Sequence, residues 1–276
     1  MERTVIIHCH IFKNAGTIFD RSLERNFGQA FFVHRDDEKM KKGAEYLGPF
    51  LHEHTYIKAL SSHHIRFPLP DVSNTRLLPT LIIRHPVDRV GSVYLFERKQ
   101  DAQTPEAINI RKMSFQNYVL WRMKPTNEGI IRNFQTRYCL DEQSEVLNEE
   151  NYKIAQKRIR ETHLLGLVDY YDESMVLFEE VLRPYYPDIN LAYIKENVTL
   201  GGERGLEQRV NAIFQSLSIE IIDILFANNQ WDLMLYLEAK SIIKERMANT
   251  PYFTDKLNDF YQRCLALRNR RHYKRI

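Results

Sequence analysis

The stretch VIIHCHIFKNAGTIFDRSLER, residues 5–25, has the pattern of a strand, a tight loop and a helix. Its first three residues form an apolar run typical of a short buried strand. Small residues at 14–17 then form a turn, after which apolar and charged residues separate onto two faces at helical spacing. Such a loop can hold an anion, because its N–H groups and the first turn of the helix point at one spot and the helix dipole favours negative charge there. The stretch therefore predicts an anion site, with Lys13 as a mobile positive charge at its entrance.

The order of residues in this loop differs from that of a Walker A loop. The Walker pattern, G-x-x-x-x-G-K-[ST], places its lysine after the glycines, whereas Lys13 precedes Gly16. An ordinary strand-to-helix turn with a solvated lysine fits the same residues. The loop alone leaves both interpretations open.

A second stretch, LLPTLIIRHPVDRVGSVYLFERKQ at residues 77–100, has the same arrangement. Its apolar strand ends at Arg84, and Pro86 suits the first position of a helix because of its fixed φ. An arginine fork and the hydroxyl of Ser92 at such a junction suit a phosphate. The alternative is that Arg84 forms an ion pair with Asp88 and that Ser92 merely packs.

Together the two stretches resemble one family. HIFKNAGT, residues 10–17, resembles the 5′-phosphosulfate loop of sulfotransferases that use 3′-phosphoadenosine 5′-phosphosulfate (PAPS). IRHPVDRVGSVYLF, residues 83–96, resembles the 3′-phosphate motif of that family. The chain looks most like carbohydrate sulfotransferases of the heparan 2-O type and their bacterial relatives, over about residues 3 to 248. Three later segments strengthen this likeness: 133–137, 166–169 and 229–236.

The resemblance implies a set of residues that bind the donor. Main-chain N–H groups of the loop, with the Thr17 hydroxyl, would hold the 5′-phosphosulfate, and Arg84 with Ser92 would hold the 3′-phosphate. A late glycine-rich loop would close over the donor with Lys195 and Arg204. Loops of this family often carry Ser or Thr where this chain has Ile18, so one hydroxyl contact to the phosphosulfate would be missing. The full expected set is Lys13, Asn14, Ala15, Gly16, Thr17, Ile18, Arg84, Ser92, Lys195 and Arg204.

The resemblance also implies catalytic residues. Lys13 would stabilise charge on the leaving phosphate oxygen, and a histidine after the third strand would take the proton of the acceptor hydroxyl. His64 fits the family segment best; His63, or neither histidine, is the alternative, since paired histidines in a loop are often surface residues. The resemblance calls for no metal, and the sequence contains no cluster with metal-ligand spacing.

Alternation of strands and helices predicts the fold class. We expect an α/β protein with a P-loop-like three-layer α/β/α architecture, a central parallel sheet and a helical C-terminal part at about 207–276, all within a single sulfotransferase domain, residues 1–276. Residues 100–109 read as a polar linker. Strands are predicted at 3–10, 30–33, 56–61, 77–84 and 163–168, and helices at 16–26, 36–51, 86–100, 114–124, 149–161, 172–183 and from 207 onward.

Composition limits the remaining possibilities. The 276 residues carry a net charge of +3, which permits an anionic ligand without demanding nucleic acid. Three scattered cysteines are too few for a disulfide framework, and no apolar run is long enough to span a membrane. With no signal-peptide pattern, these features favour a cytoplasmic enzyme. The resemblance implies that it is bacterial and that its acceptor is a carbohydrate or glycolipid. The rival classes are a P-loop kinase, disfavoured because no Walker lysine is present, and a non-catalytic polyanion-binding protein with a basic tail. Acceptor identity and oligomeric state stay open.

Overall fold

The core of the protein is a five-stranded, all-parallel sheet in the order β2-β3-β1-β4-β5. A computed structural model describes residues 2–141, 146–194 and 205–273. The strands are β1 (Arg3–Cys9), β2 (Phe31–Val33), β3 (Ala59–Ser62), β4 (Thr75–Ile83) and β5 (Leu164–Leu167). Each lies within about three residues of its predicted position, and the predicted parallel sheet is confirmed.

Helices cover both faces of this sheet. Within the described residues they are α1 (Gly16–Phe27), α2 (Asp37–Met40), α3 (Ala44–Glu53), α4 (Pro86–Glu97), α5 (Pro105–Lys112), α6 (Phe115–Arg122), α7 (Phe134–Tyr138), α8 (Glu149–Glu161), α9 (Tyr171–Leu182), α10 (Leu206–Gln215), α11 (Ile219–Ala227), α12 (Gln230–Asn249) and α13 (Phe253–Tyr273). None of these described helices is both long and apolar enough to cross a membrane. The helical C-terminal part is confirmed by α10 to α13.

The side chains of β1 alternate between two cores. Val5 and Ile7 pack in a cluster with residues of α3, α8 and α12, whereas Ile6 packs with residues of α1, α9 and α13. A strand that is buried on both faces needs apolar residues at every position, which explains the unbroken apolar run in the sequence. The three-layer α/β/α prediction is therefore confirmed.

Two predicted segments differ from the structure. The helix predicted over 36–51 is split into α2 and α3 at Gly43, whose φ of 64° lies in the left-handed region. The linker prediction for 100–109 was wrong, because α5 begins at Pro105. There the Thr104 side chain accepts a hydrogen bond from the Ala107 N–H, and a proline at the first helical position completes a strong helix start.

Strand register positions the candidate site. Because the strands are parallel, their carboxyl ends meet at one edge of the sheet. Cys9, the last residue of β1, is opposite Ser62, the last residue of β3, and His8 is opposite Thr80 of β4. The loop before α1, the His63–His64 pair and the Arg84 junction therefore begin side by side.

Candidate functional site

The loop between β1 and α1 is shaped to expose main-chain N–H groups. Lys13 and Ala15 both have left-handed backbone, with φ of 65° and 61°. Alternation of this kind curves the chain so that successive N–H groups face one concavity, as in anion-binding nests. Within the described residues, no side chain caps the start of α1 at Gly16, and the first turn carries no acidic residue. The first N–H groups of a helix have no partner inside it, so this end is suited to an anion.

The N–H groups of the expected donor-binding set are not equivalent. Asn14 N–H donates to the Ile11 carbonyl (3.2 Å) and Ile18 N–H donates to the Ala15 carbonyl (3.1 Å). Both N–H groups therefore already have an acceptor within the loop. Thr17 is exposed at the first turn of α1.

Gly16 is required by the ring of His10. A Cβ at position 16 would lie 2.3 Å from His10 Cδ2 and 2.4 Å from Nε2. No side chain can enter at that distance unless the imidazole moves. The glycine of the loop therefore serves the close packing of His10 beneath the start of α1, and its backbone does not need positive φ.

A buried amide holds the loop against the rest of the site. The Asn14 side chain donates to the Ile82 carbonyl and to Gln135 Oε1, both at 2.7 Å. The same Oε1 accepts from the Arg84 N–H (2.8 Å), and Gln135 Nε2 donates to the Arg84 carbonyl (2.9 Å). Asp232 of α12 in turn accepts from the Gln135 and Thr136 N–H groups and from the Thr136 hydroxyl. We call Asn14, Gln135 and Asp232 the amide hub.

Arg84 is paired in this structure. Its Nε donates to Asp88 Oδ2 (2.8 Å) and its NH1 donates to the Lys13 carbonyl (2.9 Å). Asp88 also receives Arg209 of α10, with Nε on Oδ1 (2.8 Å) and NH2 on Oδ2 (3.0 Å). Burial alone would raise the pKa of Asp88, but Arg209 and Arg84 outweigh it and lower that pKa. The ion pair left open by the sequence is present, and Ser92 lies half-buried on the next turn of α4.

Lys13 stands in a strongly positive surrounding. Its Nζ lies 4.4 Å from the centre of the Phe96 ring. Burial lowers the pKa of Lys13, and the charges of Arg84, Lys99 and Arg89 lower it further. Four cations that repel one another at the end of two strands form a site that a bound anion would stabilise.

The histidine pair borders a pocket of about 270 Å³. His64 Nε2 lies 3.3 Å from Asp37 Oδ2 of α2. His63 is exposed, and its Nδ1 donates to the His10 carbonyl at 2.7 Å. The pocket combines charged and aromatic side chains; its lining is His63, His64, Arg66, Glu128, Gly129, Ile130, Phe134, Arg137 and Tyr138. The segment 135–137 contributes both to the pocket and to the interior, because Arg137 lines the pocket whereas Gln135 is fully buried.

A polar cluster beside the loop was not predicted from the sequence. Asp20 of α1 accepts from His8 Nδ1 (2.6 Å) and from His10 Nδ1 (3.0 Å). The signal was present, since His8 on β1 and His10 just beyond its end are two residues apart in extended chain and so point to the same face. Arg209 and Asp232 were also missed as site residues. Lys195 and Arg204, expected to reach the donor, lie outside the described residues.

The fold and the site define a class of protein. A parallel sheet covered by helices, with two cation-bearing strand-to-helix junctions at its carboxyl edge, is a P-loop-like α/β architecture of the kind that handles anionic nucleotides.

The chain belongs to the sulfotransferase family, whose family model matches residues 1–237. It is similar to a protein of Archaeoglobus fulgidus described as uncharacterized, with 29% identity over 256 residues that cover 89% of this chain and 99% of that protein. Family membership makes sulfuryl transfer the class of reaction. The heparan 2-O-like and bacterial assignments stay predictions.

Proposed function

We propose that this protein transfers the sulfuryl group of PAPS to a hydroxyl of a carbohydrate or glycoconjugate. One observation carries the proposal: the register of β1 and β3 sets the loop with Lys13 beside the His63–His64 pair. Sulfuryl transfer to an alcohol needs positive charge at the leaving oxygen and a base at the attacking one. The two requirements are met by groups that follow adjacent strands.

The loop residues fit the 5′ end of the donor. The uncapped start of α1 and the curved backbone at 13–15 would hold its charged oxygens, and Lys13 would neutralise the charge that develops as the phosphate leaves. Arg84 and Ser92 stand at the next strand end, where the 3′-phosphate would bind. Because Asp88 already holds Arg84, we expect this arginine to act as a pre-oriented donor that shares its remaining N–H groups with the phosphate.

The proton of the acceptor would pass to the histidine pair. PAPS supplies an activated sulfuryl group; the acceptor oxygen attacks its sulfur while the bond from sulfur to the 5′-phosphate oxygen breaks. His64 is the base that the resemblance implies, and Asp37 beside its Nε2 would stabilise the imidazolium. His63, the alternative, has its Nδ1 on the His10 carbonyl, which leaves Nε2 to accept a proton.

The pocket beside these histidines suits a sugar. Phe134 and Tyr138 offer apolar faces, while Arg66, Glu128 and Arg137 offer charged and hydrogen-bonding groups. Sites for polar ligands combine an apolar lining with a few placed polar groups. The acceptor class is proposed on this composition, and identifying the sugar requires an acceptor screen.

A thermal-shift screen of adenosine 3′,5′-bisphosphate, ATP and heparin tests the donor. The proposal expects the bisphosphate to raise the melting temperature most, whereas a kinase would respond to ATP and a polyanion-binding protein to heparin. Transfer from radiolabelled PAPS to a glycan panel then tests the reaction. Lys13→Met should abolish transfer, while Lys112→Met, a control that removes an exposed lysine of α5, should not. Response to ATP alone, or labelled product from Lys13→Met, would overturn the proposal.

Single variants assign the base within the pair. A general base contributes on the order of 10²–10⁴ in rate. His64→Asn and His63→Asn are compared with His52→Asn, which changes an exposed histidine of α3. The base is the residue whose loss lowers turnover by this factor while the affinity for adenosine 3′,5′-bisphosphate stays within about twofold.

A further inference from the structure

Three histidine rings form a row that leads from the buried strand to the pocket. The rings of His8 and His10 stack with centroids 4.9 Å apart, and those of His10 and His63 lie 4.1 Å apart. His8 is 1% exposed, whereas His63 is exposed at the pocket. Asp20 bonds the two inner rings, and His10 lies directly beneath the start of α1.

The hydrogen bonds of the row fix which ring nitrogens carry hydrogen. Carboxylate and carbonyl oxygens only accept, so Nδ1 of His10 must donate to Asp20 and Nδ1 of His63 must donate to the His10 carbonyl. A neutral imidazole has one hydrogen, and the lone pair of His63 therefore lies on Nε2. This is the tautomer that a proton acceptor needs at its free nitrogen.

His8, His10 and Asp20 have the geometry of two rings that are hydrogen-bonded to one carboxylate. Ligand atoms of His8, His10 and Asp20 lie within 4.8 Å of one another, a spacing that could also hold a cation. The two rings, however, are only 20° from parallel, and their Nδ1 atoms reach separate oxygens of Asp20. Because the rings are nearly parallel, their Nδ1 atoms point side by side and not at one point where a cation could bind. We therefore interpret the cluster as two rings hydrogen-bonded to one carboxylate.

We propose that Asp20 and His10 are positioning residues that hold His63 as the proton acceptor of the transfer reaction. The inference rests on the proposed function and takes up His63 as the member of the pair that receives the proton. Asp20 fixes the ring of His10, and His10 fixes His63 twice, through its carbonyl and through ring contact.

The proton step balances with these groups alone. As the acceptor oxygen bonds to sulfur and the sulfur–phosphate oxygen bond breaks, the hydroxyl proton moves to His63 Nε2. The imidazolium keeps its Nδ1–H on the His10 carbonyl, and the charge of Asp20 lies one ring behind it. A negative group at that place stabilises the positive ring without blocking Nε2.

Electrostatics agree with this arrangement. Burial and the neighbouring His10 lower the pKa of His63, while Asp20 and Asp37 act against this and raise it. His63 is therefore neutral at pH 7 and able to take a proton. Burial disfavours ionised Asp20, but His8 and His10 outweigh it and hold the pKa of the carboxyl well below its usual range. Asp20 stays charged throughout the reaction.

Two readouts on Asp20→Asn test the proposal without a known acceptor. The first is hydrolysis of PAPS to adenosine 3′,5′-bisphosphate and sulfate, with water as the acceptor. The second is the rate at which diethyl pyrocarbonate modifies His63 across pH, resolved by mass spectrometry. We expect hydrolysis to fall about tenfold or more, because general-base catalysis supplies on the order of 10²–10⁴ and orientation is part of it. The titration midpoint of His63 should move to lower pH, since a group that raises its pKa is lost.

Further variants distinguish a supporting role of Asp20 and His10 from a role of His64 as the proton acceptor. His10→Phe keeps a ring against His63 but cannot bond Asp20. It should lower PAPS hydrolysis by about as much as Asp20→Asn does. If Asp20→Asn does not fold, His10→Phe takes its place in the test. A greater loss with Asp37→Asn than with Asp20→Asn would place the proton on His64 and overturn the proposal, as would an unchanged His63 midpoint. Wild-type protein that neither binds adenosine 3′,5′-bisphosphate nor hydrolyses PAPS would instead refute the proposed function itself.

Discussion

Replacing Gln135 by Ala should destabilise the protein severely, because this one side chain joins three elements of the site. Gln135 is fully buried, with no exposed surface. Its amide bonds the Asn14 side chain after β1 and both main-chain polar groups of Arg84 after β4. The alanine variant leaves Asn14 Nδ2 with only the Ile82 carbonyl and removes these partners from the Arg84 N–H and carbonyl.

The magnitude follows from the three short bonds that are lost; a fourth, from Gln135 Nε2 to Asp232 Oδ2, is long at 3.4 Å. A buried donor or acceptor that loses its partner costs about 1–3 kcal/mol, and water entering the cavity recovers part of that. We expect a loss of about 3–4 kcal/mol in the free energy of unfolding. Domains have about 5–15 kcal/mol in total, so the variant should fold with a much reduced margin.

Urea unfolding followed by circular dichroism measures this loss. Gln116→Ala is the matched control, because Gln116 is exposed on α6 and alanine is a good helix former. Affinity for adenosine 3′,5′-bisphosphate should fall as well, since the loop and Arg84 lose their common support. A change in unfolding free energy no larger than that of the control would show that the amide hub does not bind the site together.

Three further predictions concern individual residues. Arg84→Ala should weaken binding of adenosine 3′,5′-bisphosphate by about 1.5–3 kcal/mol in calorimetry, and equal binding would remove Arg84 from the donor site. Gly16→Ala should abolish this binding, because its Cβ would collide with His10 at 2.3 Å. Asp20 has a lowered pKa in the folded state, so its stabilising effect is complete above the unfolded carboxyl pKa of about 3.9 and is lost as pH falls below it. Acid titration of unfolding free energy should therefore be flatter for Asp20→Asn than for wild type.

Local patterns were enough to predict the layers of the fold. Strands such as β1 and β4 are short apolar runs followed by helix starts, and both kinds of signal lie within a few consecutive residues. The same locality allowed Lys13, Arg84 and the histidine pair to be placed at one edge of the sheet. Helix α5 escaped prediction because it is short and buries only Ile110, so its clear sign is the Thr104–Pro105 start.

Contacts between distant residues could not be predicted in the same way. Gln135 meets Asn14 across 121 positions and Asp232 across 97, so no spacing rule connects them. Arg209 reaches Asp88 from a helix 121 positions away. The two-residue spacing of His8 and His10 was visible in the sequence. Their common partner Asp20, however, lies on α1, and only the packing of that helix on β1 brings the carboxylate to both rings.

The register of β1 against β3 has a consequence for engineering. Neighbouring strands are about 4.8 Å apart, so the starting points of the Lys13 loop and of the histidine pair are set by the sheet and not by the segments that line the far side of the pocket. New acceptor preferences could then be sought by exchanging the wall at 128–130 and residue 137 while the reacting groups keep their places. Libraries of this kind must leave Gln135 and Thr136 unchanged. Both are buried next to residue 137: Gln135 holds Asn14 of the loop before α1, and Thr136 bonds Asp232 of α12.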